Sequence, residues 1–409
     1  MSARPRHARD DHRTRVGFLN SHPIQYAAPL YAYLNRSPDI EPVAIYLTDF
    51  SLRGAVDKQF GQAIRWDIDL LAGYEHHFVG RNVGTAEPYG FFSLASPAIG
   101  SAILRLDLDA LVLHGHNYAA NLIALAAARA AGIPVFYKAE THLGLPRSGI
   151  KSRLRPATLK TLFSQMAGFL AIGTKNAAFY RSLGIADAKI HFYPYTVDND
   201  RFVTASALTA TERASKRAAL GLSSDGTVML YASKLTHRKH PDDLLAACQI
   251  LAREGRPVEL LFVGTGELNA ALQQQARSEP TLPVHFAGFV NQTELPAAFA
   301  AADVFVLPSE DEPWGLIFNE AMCAGLPVVG SEEIGCVGDL VRPGENGAIF
   351  NARDVGGLVD ALRPLVCDQA LRRRYGERSR QIIDRWSYAE NLAGLRAALV
   401  SVGYSTATI

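Results

Sequence analysis

Short apolar runs alternate with longer amphipathic stretches along most of the chain. Val16-Gly17-Phe18-Leu19, residues 43–47, Ala110-Leu111-Val112-Leu113-His114, Val135-Phe136-Tyr137 and Phe169-Leu170-Ala171-Ile172 are continuous rather than alternating. That pattern marks strands buried on both faces, as in a parallel sheet. A helix is expected from Pro23 through Tyr31 and Leu34, with the proline in its first turn. A second is expected from about 121 to 131, closed by Gly132 before Pro134. After a connector at 193–202 the alternation restarts. Residues 228–232, 260–263, 284–286, 304–307 and 328–329 read as strands. Residues 241–254 read as a helix with Leu244, Leu245, Ala247 and Leu251 on one face. The pattern predicts an α/β chain of two doubly wound halves with a hinge near 194–210. A cleft between two such halves, at the carboxyl ends of both sheets, is the expected ligand site.

At 409 residues the chain has room for two or three domains. Forty-one Lys and Arg against 40 Asp and Glu leave a net charge of +1, which excludes nucleic-acid binding through bulk charge. The longest apolar stretch, 122–131, is interrupted by Arg129 and falls short of a membrane span. Cys248, Cys323, Cys336 and Cys367 form no C-x-x-C pair and read as reduced thiols of a cytoplasmic protein. Residues 1–14 are basic, lack the apolar segment of a secretory signal, and read as a disordered tail.

The densest chemistry lies in Ser309 to Gly330, SEDEPWGLIFNEAMCAGLPVVG. A strand ends at Leu307, a loop follows, and a helix is expected over 316–324, capped by Gly325. Such a turn delivers backbone N–H groups and a helix's positive end to the carboxyl edge of a sheet, a place for phosphate or sugar hydroxyls. Glu312 and Glu320 flank it. Taken singly, Glu320 could be a solvated helix carboxylate and Glu312 a turn residue. Together, across that loop, they read as a site. An acid among Phe318, Ala321, Met322 and Ala324 needs a hydrogen-bonding partner, and a ribose diol would serve.

These residues resemble the signature of glycosyltransferase family 4: Glu312-Pro313-Trp314-Gly315-Leu316, then Glu320-Ala321-Met322-Cys323-Ala324-Gly325-Leu326-Pro327-Val328-Val329. Gly221-Leu222, residues 230–239, Val263-Gly264-Thr265-Gly266, 286–290 and 343–347 follow the family's order, so the resemblance covers nearly the whole chain. It implies the GT-B fold, two Rossmann-like domains facing across a cleft. Residues 15–200 would form the acceptor-binding domain, 201–385 the nucleotide-sugar donor domain, and 386–409 a terminal helix crossing back to the first.

The resemblance also implies roles. Lys234 and Lys239 match the family's basic pair on the donor diphosphate. There they would stabilise a departing oxygen without a metal, although lysine for arginine loses the bidentate fork. Glu312 would lie beside the transferred sugar and Glu320 would accept from ribose hydroxyls. Amides around Trp314, Gly315, Leu316 and Ile317 would meet the sugar and phosphate, with the base near Gly264 and Val290. In the first domain, His116 would approach the sugar from the acceptor side, with His114 structural. His22, Glu140 and His142 would serve the acceptor. Asn20-Ser21-His22-Pro23 stands where the family often has Gly-Gly, a version that resembles a bacterial subset. No third ligand of matching type joins His114 and His116, so no metal is expected.

The implied function is retaining transfer of a hexose from a UDP-sugar, or next GDP-mannose, to a hydroxyl acceptor, with no cofactor beyond the nucleotide sugar. Cell-surface polysaccharide or glycolipid synthesis is the expected setting. A basic, partly apolar stretch at 147–160 suggests peripheral contact with a membrane carrying a lipid-linked acceptor; a solvated surface explains it equally well. Alternative readings are a nucleotide-sugar epimerase of the same architecture and a catalytically silent sugar-nucleotide-binding protein.

Overall fold

A computed structural model describes residues 13–54, 56–57, 62–63, 65–80, 88–144 and 158–405. The chain divides into two compact units. The first comprises 1–55, 68–195 and 388–409; the second comprises 56–67 and 196–387. Most of the basic tail and most of the proposed membrane stretch, 145–157, lie outside the described residues.

The first unit is built on a seven-stranded sheet. Its strands are β1 (Thr14–Asn20), β2 (Ile40–Tyr46), β5 (Glu75–Phe78), β6 (Ala110–His114), β7 (Val135–Lys138), β8 (Gly168–Ala171) and β9 (Ile190–Phe192). They run in the order β5-β2-β1-β6-β7-β8-β9, every pairing parallel. The strand order reverses between β1 and β6, the usual ligand position of a doubly wound sheet. Two short strands, β3 (Val56–Asp57) and β4 (Gln62–Ala63), pair separately within the second unit.

The second unit carries a six-stranded parallel sheet. Its strands are β10 (Thr227–Ala232), β11 (Val258–Val263), β12 (Val284–Gly288), β13 (Val304–Leu307), β14 (Val328–Ser331) and β15 (Gly347–Phe350), in the order β12-β11-β10-β13-β14-β15. β10, β11, β13 and β14 are buried along their whole length, which is why they read as unbroken apolar runs.

Four details differ from the sequence reading. Thr14 opens β1 and its N–H bonds the Asp39 carbonyl, so the fold begins inside the stretch assigned to the tail. The first helix is Ala28–Leu34, with Pro29 rather than Pro23 in its first turn, because 24–27 form a separate turn on the Ile24 carbonyl. Residues 56–67 belong to the second unit, where Asn291 bonds the Arg65 carbonyl and Thr293 the Asp67 carboxylate. Trp386 also belongs there, packed on Trp314 with ring centroids 5.2 Å apart. The last helix, Tyr388–Val400, lies in the first unit, where Asn391 donates to the Pro194 carbonyl at 2.7 Å.

Candidate functional site

In the second unit the strand order reverses between β10 and β13, and the chemistry collects at that edge. The chain leaves β10, makes a short 3-10 turn at His237–Lys239, and enters the helix Pro241–Arg253 through His240, whose φ is +47°. The loop after β13 runs alongside. The Glu310 N–H bonds the Arg238 carbonyl at 2.9 Å, and the Ser309 hydroxyl lies 3.3 Å from the same oxygen. The Glu312 carboxylate then pairs with the Lys239 ammonium. Arg238 adds a weaker contact at 3.4 Å and donates to the Asp311 carbonyl at 3.1 Å. Lys239 is 9% exposed. Burial pulls its pKa down, and the Glu312 charge opposes that shift. Lys239 is thus a buried side chain whose carboxylate partner offsets part of the effect of burial.

Glu312 is itself held by backbone. Its carbonyl accepts from the Gly335 N–H at 2.9 Å, and the Trp314 carbonyl from the Cys336 N–H at 3.1 Å. Gly335 has to be glycine: an added Cβ would lie 2.0 Å from the Pro313 oxygen. Trp314 is buried against Trp386, and its indole N–H donates to Asn319 at 3.1 Å. Gly315 and Leu316 lead into the helix Ile317–Cys323, shorter than expected. One turn in, Glu320 is fully buried among Phe318, Ala321 and Met322.

Lys234, Gly264 and Val290 flank this centre. The Lys234 carbonyl accepts from the Tyr231 hydroxyl at 2.8 Å, and its side chain is half-buried. Gly264 has φ +130°, and a Cβ there would lie 2.0 Å from the Ser233 oxygen, so the turns after β10 and β11 touch backbone to backbone. The Gly264 N–H bonds the Gly288 carbonyl at 2.7 Å, which carries the contact toward the half-buried Val290.

In the first unit, His114 and His116 leave the end of β6. His114 Nδ1 lies 3.2 Å from the Leu19 carbonyl, and burial, with Lys138 nearby, pushes its pKa to about 3. It is a neutral packing histidine. His116 Nδ1 lies 2.6 Å from the Tyr137 hydroxyl. His22 Nδ1 contacts the Ser21 hydroxyl at 2.9 Å. Glu140 accepts from the Tyr195 hydroxyl at 2.5 Å, and the buried His142 ring accepts from the Gly144 N–H at 3.2 Å. Among the described residues no group of His, Cys, Asp and Glu has metal-site geometry, and no helix is long and apolar enough to cross a membrane.

Sequence reasoning passed over Arg238, Lys138 and Tyr195. Arg238 sits between Lys234 and Lys239 in sequence, and its charge is the available signal. Lys138 ends an apolar strand, a place where a lone lysine is unusual. Tyr195 gave no signal, since its partner Glu140 lies in another segment.

Two family models match this chain: a glycosyl transferase 4-like domain over 72–196, and glycosyl transferases group 1 over 212–382. The chain belongs to glycosyltransferase family 4. Glycogen synthase of Mycobacterium tuberculosis is 38% identical over 154 residues, 37% of this chain and 37% of that protein, so the match spans well under half of that relative. D-inositol 3-phosphate glycosyltransferase 1 of Catenulispora acidiphila is 27% identical over 296 residues, 66% of this chain and 67% of its own length. Among solved structures, Anabaena Alr3699/HepE in complex with UDP superposes with a TM-score of 0.72 at 17% identity, covering 95% of this chain and 100% of that one. Sucrose-phosphate synthase of Thermosynechococcus elongatus gives 0.71 at 16%, covering 95% and 99%. Family 4 membership and these neighbours together give the GT-B fold, two Rossmann-like domains.

Proposed function

We propose that this protein is a retaining hexosyltransferase using a nucleotide diphosphate sugar and a hydroxyl acceptor. The observation that carries the reading is the Lys239–Glu312 pair, with Arg238 beside it and the buried Glu320 one helical turn beyond the same loop. A diphosphate gains charge as the glycosidic bond breaks. Lys239, Arg238 and Lys234 supply fixed cations for that charge, so no metal is required of the reaction. Glu312 lies beside the transferred sugar, and Glu320 accepts from a ribose hydroxyl. Amides from Gly315 to Ile317 meet the sugar and phosphate, and the base lies by Gly264 and Val290.

The bond from the anomeric carbon to the phosphate oxygen breaks, and the acceptor oxygen bonds to the same face. The acceptor proton passes to the departing phosphate oxygen. In the first unit, His116, His22, Glu140 and His142 handle the acceptor. UDP-sugars are the favoured donors, since Anabaena HepE was solved with UDP and with UDP-glucose. GDP-mannose comes next, because a GDP-mannose-dependent mannosyltransferase acting on phosphatidylinositol monomannoside in Mycobacterium tuberculosis is 32% identical over 190 residues. Such a relative also supports a glycolipid product.

A thermal-shift panel of UDP, GDP and ADP sugars tests the donor, since ligand at a hundred times its Kd stabilises by about 2.7 kcal/mol. One nucleotide should stand out, and acceptor-dependent release of that nucleotide should persist in EDTA. An isomerised donor without acceptor would show an epimerase. Binding without turnover on any acceptor would show a silent binder.

A further inference from the structure

Lys138 is the last residue of β7, paired in register with His114 of β6. It is 8% exposed. Its ammonium lies over two aromatic faces, 5.2 Å from the Tyr193 ring centroid and 4.8 Å from that of Tyr195. Among the described residues it makes neither a hydrogen bond nor an ion pair. Glu140 influences it electrostatically, but that carboxylate is exposed and accepts from the Tyr195 hydroxyl. An ammonium is a compact, strongly hydrated charge with three donors. The two rings give the charge cation–π contact, but its N–H donors meet no acceptor among the described residues, and buried donors are normally satisfied. Tyr193 and Tyr195 are held in place, since Asn391 of the last helix bonds the Pro194 carbonyl between them. The ammonium therefore sits in a built cage at the carboxyl end of a central strand, where ligands of such sheets bind.

We propose that Lys138, framed by Tyr193, Tyr195 and Glu140, is a subsite for an oxyanion, a phosphate or carboxylate carried by the acceptor. This rests on the glycosyltransferase reading and narrows its acceptor to an acidic one. The surrounding groups suit the role. His114 on β6 is neutral above about pH 3 and adds no competing charge. Tyr193 is buried and stays protonated, its pKa raised by desolvation. Among the described residues Glu140 is the single carboxylate acting on Lys138, and its bond to Tyr195 directs part of its charge elsewhere. Burial brings the Lys138 pKa to about 8, so the anion-binding form prevails at neutral pH and is lost above it.

The test is titration calorimetry on the full chain saturated with the nucleotide that binds best, so that the donor cations are occupied. Inorganic phosphate and acetate are the probes. At pH 7 one of them is expected to bind, identifying the anion class. Affinity should fall at least tenfold at pH 9.5 and at least tenfold in Lys138→Met, whose apolar side chain can pack on the same rings. Glu140→Gln should tighten binding severalfold, which a lysine with only a packing role would not do. Nucleotide affinity should be unchanged in both variants. Normal nucleotide binding with no response to either probe, or with equal affinity in Lys138→Met, overturns the subsite alone. Failure of the unsubstituted protein to bind any nucleotide overturns the glycosyltransferase reading and the subsite with it.

Discussion

Lys239 and Glu312, 73 positions apart, form an ion pair that joins the turn after β10 to the loop after β13. Both side chains are nearly buried, at 11% and 12% exposure. The pair therefore has two functions: it shapes the proposed donor site, and its carboxylate opposes the downward pull of burial on the Lys239 pKa.

Glu312→Gln should cost stability as well as activity. Removing one partner of a buried pair costs about 3–5 kcal/mol, and residual water access should reduce this to about 1–3. Lys239→Met should cost less, because Glu312 keeps its contact with Arg238. Nucleotide release should fall by about a hundredfold or more in both, as for loss of a group that stabilises developing charge. Urea denaturation and turnover on the same samples check this. Unchanged stability of Glu312→Gln would show that the pair contributes nothing to the fold.

Gly335→Ala should act through backbone alone. Its Cβ meets the Pro313 oxygen at 2.0 Å, so the loop carrying Glu312 and Trp314 has to move. A loss of about 1–3 kcal/mol is expected, as for other overpacked positions. Nucleotide affinity should weaken, although the substituted residue is not one of the proposed ligands. A melting curve and a nucleotide titration that both match the unsubstituted protein would contradict the role given to this contact.

Trp386→Ala should destabilise the second unit by about 3–5 kcal/mol, the range for truncating a buried aromatic. Trp386 lies against Trp314, and its carbonyl accepts from Asn199 at 3.3 Å. Trp314 and Trp66 are the tryptophans left, and the Trp314 part of the emission, read as the difference from a Trp66→Phe background, should shift to the red as water reaches it. Denaturant unfolding followed by fluorescence reads both effects, and a shift of emission without loss of stability would limit the contact to shielding.

Lys138 predicts a sign for pH dependence. Its folded pKa, about 8, lies below the usual 10.5, so between those values the unfolded chain binds more protons than the folded one. Stability from this group therefore rises with pH across that window and is at its lowest below it. Lys138→Met should abolish that rise and be the more stable protein at pH 7. Melting temperatures of both forms from pH 7 to 10 check this; parallel curves would contradict the burial assigned to Lys138.

Strand and helix positions were legible because their signal is local. A buried parallel strand such as β10 or β13 must be apolar over a few consecutive residues, and the loop from Glu312 to Glu320 carries its glycine, proline and acids in one run. Local pattern was therefore enough for two α/β halves, the family and the loop that bears the two glutamates. Tertiary structure alone decided the partners. It paired Lys239 with Glu312, put Trp386 under Trp314, brought 56–67 into the second unit, and placed Lys138 between two tyrosines from a distant segment. Periodicity records which residues are buried. Which buried residues meet depends on how separate strands and loops converge, and no short window of sequence contains that information.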